Sequence, residues 1–107
     1  MERRITFMKK NVLVTGASRG IGRAIALTFA NCGYHVFLNC SQSIEELEAV
    51  KSEIESIPGG SCELLIGDIG NPDFVSHMFK TIHQKCEALD VLINNAGIAH
   101  IGLLTDM

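Results

Sequence analysis

The chain has 107 residues, 47% of them hydrophobic and 20% charged, and a formal charge of −3. Single domains usually run about 100–200 residues, so this length excludes a two-domain enzyme, and the apolar content with only 2 prolines excludes a disordered chain. The acidic balance excludes a general nucleic-acid or anionic-membrane binder, whose affinity rests on excess positive charge, so any phosphate site must be local.

The apolar runs fall well short of the roughly 20 residues a membrane helix needs. Met1-Glu2-Arg3-Arg4-Ile5-Thr6-Phe7 reads as an N-terminal extension, and Lys9 and Lys10 interrupt any signal-peptide core behind it. Met8 is the natural start of the folded part, and the location expected is cytoplasmic. Cys32, Cys40, Cys62 and Cys86 form no C-x-x-C pair and have no histidine at finger spacing, which predicts reduced, core-filling thiols and no metal site. His35, His77, His83 and His100 are scattered and read as surface or packing residues, with His100 nearest to where a substrate would enter.

Asn11-Val12-Leu13-Val14-Thr15 is a short β-branched run that stops at a glycine, as a buried parallel strand does. Ile21, Ala24, Ile25, Thr28, Phe29 and Cys32 then fall at helical spacing and predict a helix from Gly20 to near Gly33 with that stripe buried. His35 to Asn39 is a second strand. Ser43 and Glu46 have capping-box spacing ahead of a second helix whose buried face is Ile44, Leu47, Val50, Ile54 and Ile57, ended by Pro58-Gly59-Gly60. Cys62 to Gly67 is a third strand, and a turn through Asp68, Gly70, Asn71 and Pro72 leads into a third helix with the stripe Val75, Met78, Phe79, Ile82 and Cys86. Asp90 to Asn94 is a fourth strand. The order βαβαβαβ predicts parallel strands with right-handed crossover helices, the first half of a doubly wound α/β sheet in the order 3-2-1-4.

Thr15-Gly16-Ala17-Ser18-Arg19-Gly20-Ile21-Gly22 joins the first strand to its helix. Gly16 suits a tight turn, Gly20 lets backbone approach a pyrophosphate, and Gly22 permits close packing of the helix. The helix start offers free amides and a positive dipole end to phosphates. No Gly-Lys-Ser/Thr follows, so this is not a Walker A loop.

Thr-Gly-x-x-x-Gly-x-Gly at 15–22, Asp68-Ile69 after the third strand and Asn94-Asn95-Ala96-Gly97 after the fourth resemble the short-chain dehydrogenase/reductase family, in particular its 3-oxoacyl-[acyl-carrier-protein] reductase-like branch. The resemblance covers about residues 8–107 and implies a Rossmann domain that binds NAD(P). It implies that Gly16, Ser18, Arg19, Gly20, Ile21 and Gly22 hold ribose and phosphates, that Asp68 and Ile69 flank the adenine, and that Asn95, with Ala96 and Gly97, lies near the nicotinamide-side ribose while Asn94 braces the strands. Asp68 also suits a plain turn. An NAD-selective site usually has a carboxylate at the end of the second strand; here Asn39-Cys40-Ser41 stands there, with no acid until Glu45. Arg19 offers a planar fork and Ser41 a hydroxyl to a 2′-phosphate, so NADPH is the expected cofactor.

Family members reduce carbonyls with a serine, a proton-donating tyrosine and a lysine four residues after it. This sequence has one tyrosine, Tyr34, with Leu38 four residues on, and no lysine after Lys85. The expectation is thus an NADPH-dependent oxidoreductase for a ketone such as a 3-oxoacyl thioester, present here as its cofactor-binding half, with no catalytic residue in the chain and no turnover alone. The resemblance implies an acyl-carrier-bound or small-molecule substrate and a homotetrameric parent, with neither nucleic acid nor membrane as partner. A non-catalytic dinucleotide-binding or interaction module needing a partner chain is the alternative from another class. The tail 102–107 also resembles reductases that act on a 5-aminopentanone-type group of a translation factor.

Overall fold

The computed structural model describes residues 9–96. The N-terminal extension and Met8, together with Gly97, His100 and the tail 102–107, lie outside them. The elements are β1 (Asn11–Val14), α1 (Gly20–Asn31), β2 (His35–Cys40), α2 (Ile44–Glu55), β3 (Ser61–Ile66), α3 (Pro72–Lys85) and β4 (Val91–Ile93). All pairings are parallel and the order is β3-β2-β1-β4, as the sequence predicts. Among the described residues, no helix is long and apolar enough to cross a membrane.

The alternation of side chains along a strand distributes the core between two faces. Val12, Val14, Val36, Leu38 and Cys40 point to one side, where Ala26 and Ala30 of α1 and Leu47, Val50 and Ile54 of α2 cover them. Leu13 and Phe37 point to the other, where Met78 and Ile82 of α3 complete a smaller cluster with Leu65. β1 and β2 are covered on both faces, which explains their unbroken apolar runs.

Two local expectations are corrected. The buried line of α1 is Gly22, Ala26 and Ala30, while Ile21, Ala24, Thr28 and Cys32 are exposed. The helix approaches its neighbours along its smallest side chains, and Ile25, Leu27 and Phe29 flank that line half-buried. Cys32 is therefore not a core thiol, whereas Cys40 is buried. At α2, Ser43 occupies the N-cap position but its side chain makes no capping bond, and Ile44 is exposed. The third helix is capped by Asn71, whose Oδ1 accepts from the Asp73 and Phe74 amides at 2.8 and 3.3 Å, with Pro72 in the first turn where no amide is needed.

Candidate functional site: a cleft at the carboxyl ends of the strands

The chain runs outward from β1 to β2 and β3, then returns to place β4 on the other side of β1, so the direction of winding switches between β1 and β4. Ligands of open parallel sheets bind in the crevice beyond the carboxyl ends of the strands at such a switch. A cleft of about 400 Å³ lies there, walled by the loop after β1 (Gly16, Ser18, Arg19), the end of β2 (Asn39, Cys40, Ser41, Ser43), the turn after β3 (Gly67, Asp68, Ile69) and the loop after β4 (Asn94, Ala96).

These loops are tied to one another by named bonds. The Ala17 amide donates to the Asn39 carbonyl at 2.9 Å and the Gly67 amide to the Cys40 carbonyl at 2.9 Å. The Asn39 amide group donates to the carbonyls of Leu65 at 2.8 Å and Gly67 at 3.2 Å, fastening β2 to the start of the turn after β3. Thr15, buried at the end of β1, donates to Asn94 Oδ1 at 3.1 Å and accepts from the Ala96 amide at 3.0 Å. Asn95 Nδ2 donates to the Gly16 carbonyl at 2.9 Å. The cleft is thus framed by residues that sit up to 81 positions apart in the chain.

Gly16 has φ +60°, a conformation that L side chains rarely adopt, and turns the chain off β1 into the cleft. At Gly22 the constraint is space: a Cβ there would lie 2.0 Å from the Gly16 carbonyl oxygen and 2.6 Å from Asn95 Nδ2. The start of α1 is seated on the loop as closely as backbone allows. Arg19 holds the N-cap position in extended conformation with no side-chain capping bond, so amides at the helix start have no side-chain acceptor from Arg19.

Of the residues expected from the sequence, Gly16, Ser18, Arg19, Ser41, Asp68, Ile69 and Ala96 line the cleft. Gly20, Ile21 and Gly22 form the helix start beside it, with Ile21 exposed, and Asn95 lies beneath the loop rather than in the wall. Gly97 is outside the described residues. Asp68 does serve a turn: its Oδ1 accepts from the Gly70 amide at 2.8 Å and its carbonyl from the Asn71 amide at 2.9 Å. Asn39, Cys40, Ser43, Gly67 and Asn94 also line the wall without being among the expected cofactor residues, Cys40 being expected as a core thiol and Asn94 as a brace between strands. The signal for Asn39 was a lone amide in the apolar run of β2; Ser43 was read only as a helix cap and Gly67 only as a strand end.

The end of β2 carries no acid. Burial pushes the Cys40 thiol above its ordinary pKa, the Ser43 backbone pulls it partly back and the Glu46 carboxylate adds to the rise, so Cys40 is neutral at physiological pH. Arg19 is three-quarters exposed and stands 3.7 Å from Glu46 in the first turn of α2. A dinucleotide fits this arrangement on two observations. The positive-φ Gly20 has open space where a Cβ would stand, leaving room beside the helix start, and Asn95 Oδ1 is a buried acceptor without a partner among the described residues.

The family model of short chain dehydrogenases matches residues 10–107. Over 100 residues the chain is 45% identical to the 3-oxoacyl-[acyl-carrier-protein] reductase FabG of Staphylococcus aureus strain Mu50, a match that takes in 94% of this chain and 40% of that protein. Among solved structures, a metagenomic short-chain oxidoreductase in complex with NADP superposes with a TM-score of 0.72 at 35% identity, over 78% of this chain and 37% of that one. YwfH, an NADPH dependent reductase involved in bacilysin biosynthesis, superposes with a TM-score of 0.71 at 33% identity, over 78% and 34%. Fold, site position and sequence therefore agree: the chain belongs to the short chain dehydrogenase family.

Proposed function

We propose that the chain binds NADPH in the cleft at the carboxyl ends of its strands, in the service of reducing a ketone of the 3-oxoacyl thioester class. The observation that carries the cofactor choice is the wall of the cleft at the end of β2, lined by Arg19, Cys40 and Ser41 with no carboxylate at the strand end. A guanidinium fork and a hydroxyl suit a 2′-phosphate, and Asn39, Cys40 and Ser41 at the end of β2 include no carboxylate to repel it. The NADP complex of the metagenomic relative supports the same choice.

In this reading the backbone from Gly16 to Gly22, including Ser18, Gly20 and Ile21, holds the pyrophosphate and its ribose against the free amides and positive end of α1. Asp68 and Ile69 flank the adenine, with Asp68 held in place by its own turn. Asn95 and Ala96 carry the nicotinamide-side ribose. Bound NADPH supplies the hydride.

The ketone substrate is inferred from the acyl-carrier reductase similarity. The chain spans 40% of that relative's length, and its sequence holds no Tyr-x-x-x-Lys: Tyr34 packs edge-on to Phe29 and has Leu38 four residues on. No residue here is assigned the proton transfer to the carbonyl, and the purified chain is expected to bind NADPH without turning over.

Fluorescence titration of NADPH and NADH against the wild type and Arg19→Ala tests the cofactor choice. NADPH should bind the wild type more tightly, and the substitution should weaken NADPH by about 10- to 100-fold, the usual worth of a charge-assisted contact, with NADH little changed. Equal affinity of the wild type for both cofactors would overturn the proposal.

A further inference from the structure

Arg19 is already engaged before any phosphate arrives. Its guanidinium reaches Glu46 in the first turn of α2, Nη1 to Oε1 at 3.7 Å, with both side chains exposed. Through this contact with Arg19, Glu46 stands near the end of β2, where the NADPH reading places the 2′-phosphate. The capping-box role that its spacing suggested is not what holds it there, since Ser43 makes no side-chain capping bond.

Resting on the NADPH reading above, we infer that Glu46 is a specificity-determining residue that competes with the cofactor's 2′-phosphate for Arg19. A 2′-phosphate carries more negative charge than one carboxylate and offers more acceptor oxygens, so it displaces Glu46 from the guanidinium. The displacement costs the ion pair and leaves a carboxylate facing the phosphate. NADH, with a neutral 2′-hydroxyl, meets neither penalty and leaves the Arg19–Glu46 pair intact. Glu46 therefore narrows the preference that Arg19 creates, and a neutral isostere at position 46 widens it.

The test is the Kd of NADPH and NADH for the full chain, wild type against Glu46→Gln, with circular dichroism to compare the folds. Glu46→Gln should tighten NADPH by up to about fivefold, the upper end for an exposed ion pair, leave NADH unchanged, and lose the difference as added salt screens both charges. In the Arg19→Ala background the gain from Glu46→Gln should shrink, because the guanidinium it frees is gone. If the wild type prefers NADPH and Glu46→Gln prefers it no more strongly, the role of Glu46 falls and the cofactor reading stands. If the wild type shows no preference but Glu46→Gln does, the role of Glu46 stands and the wild-type preference falls. If neither shows one, both fall.

Discussion

Gly22 bears the tightest contact of the site, and the atom it faces cannot rotate away. A methyl group there would stand 2.0 Å from a backbone oxygen, so Gly22→Ala forces α1 off the loop or the loop off β1. Overpacking of this kind costs about 1–3 kcal/mol, and the lower denaturant midpoint should come with weakened NADPH binding. Gly20→Ala, with open space around its Cβ but φ +60°, meets only the backbone penalty and should lose less stability. Equal midpoints for wild type and Gly22→Ala would refute the packing account. At the far end of the sheet, His35 has its Nδ1 2.8 Å from Ser61 Oγ, and burial lowers its pKa from 6.5, helped by Lys9 and Lys85 and opposed by Glu63. The unfolded chain then takes up the proton first as pH falls, so the stability tied to neutral His35 is complete above pH 6.5 and drains away below it. Urea midpoints measured from pH 7.5 down to about 5.5 should fall further for the wild type than for His35→Asn; parallel curves would count against a buried neutral imidazole.

The hydroxyl of Thr15, the residue after β1, is one of the ties that hold the loop after β4. Thr15→Val keeps the shape but removes both the donor to Asn94 and the acceptor for the Ala96 amide. Asn94 and Ala96 are exposed, so each lost bond costs its net worth of about 0.5–1.5 kcal/mol, and β4, only three residues long, should exchange its amides faster in the variant. Unchanged exchange in β4 would show that backbone pairing alone holds it. No local pattern announces this role, because the partners of Thr15 are 79 and 81 residues away. What the sequence does announce is set by neighbours along the chain: the strands, as short apolar runs, fall within a residue or so of their observed bounds, and the glycine spacing marks the cleft. The face of α1 was misjudged because Gly22, Ala26 and Ala30 have little hydrophobic weight yet permit the closest approach. The Ser43–Glu46 box failed for a non-local reason too, since Glu46 faces Arg19 from another element.

The three-layer arrangement makes the two ends of the sheet unlike each other. At the carboxyl end, four connections converge on one cleft, fastened by Thr15, Asn39 and Asn95. At the amino end, His35, Ser61 and Lys9 form a separate polar group, with Ser61 Oγ accepting from Lys9 Nζ at 3.1 Å. Between them β1 and β2 are buried on both faces, while β4 leaves Leu92 half exposed and has β1 as its sole strand neighbour among the described residues. Amide exchange should reflect this gradient, slowest in β1 and β2, where it needs global opening, and fastest in β4. A ligand that binds only the folded chain stabilises it everywhere by mass action, so it slows the globally exchanging amides by a common factor. Beyond that common factor, NADPH should add local protection from Gly16 to Gly22, at Ser41 and at Asp68 and Ile69. Amides at His35 and Ser61, at the opposite end of the same strands, should show none of this additional protection. Exchange mass spectrometry with and without NADPH reads both terms at once, and local protection centred on the amino end would move the binding site to the wrong edge of the sheet.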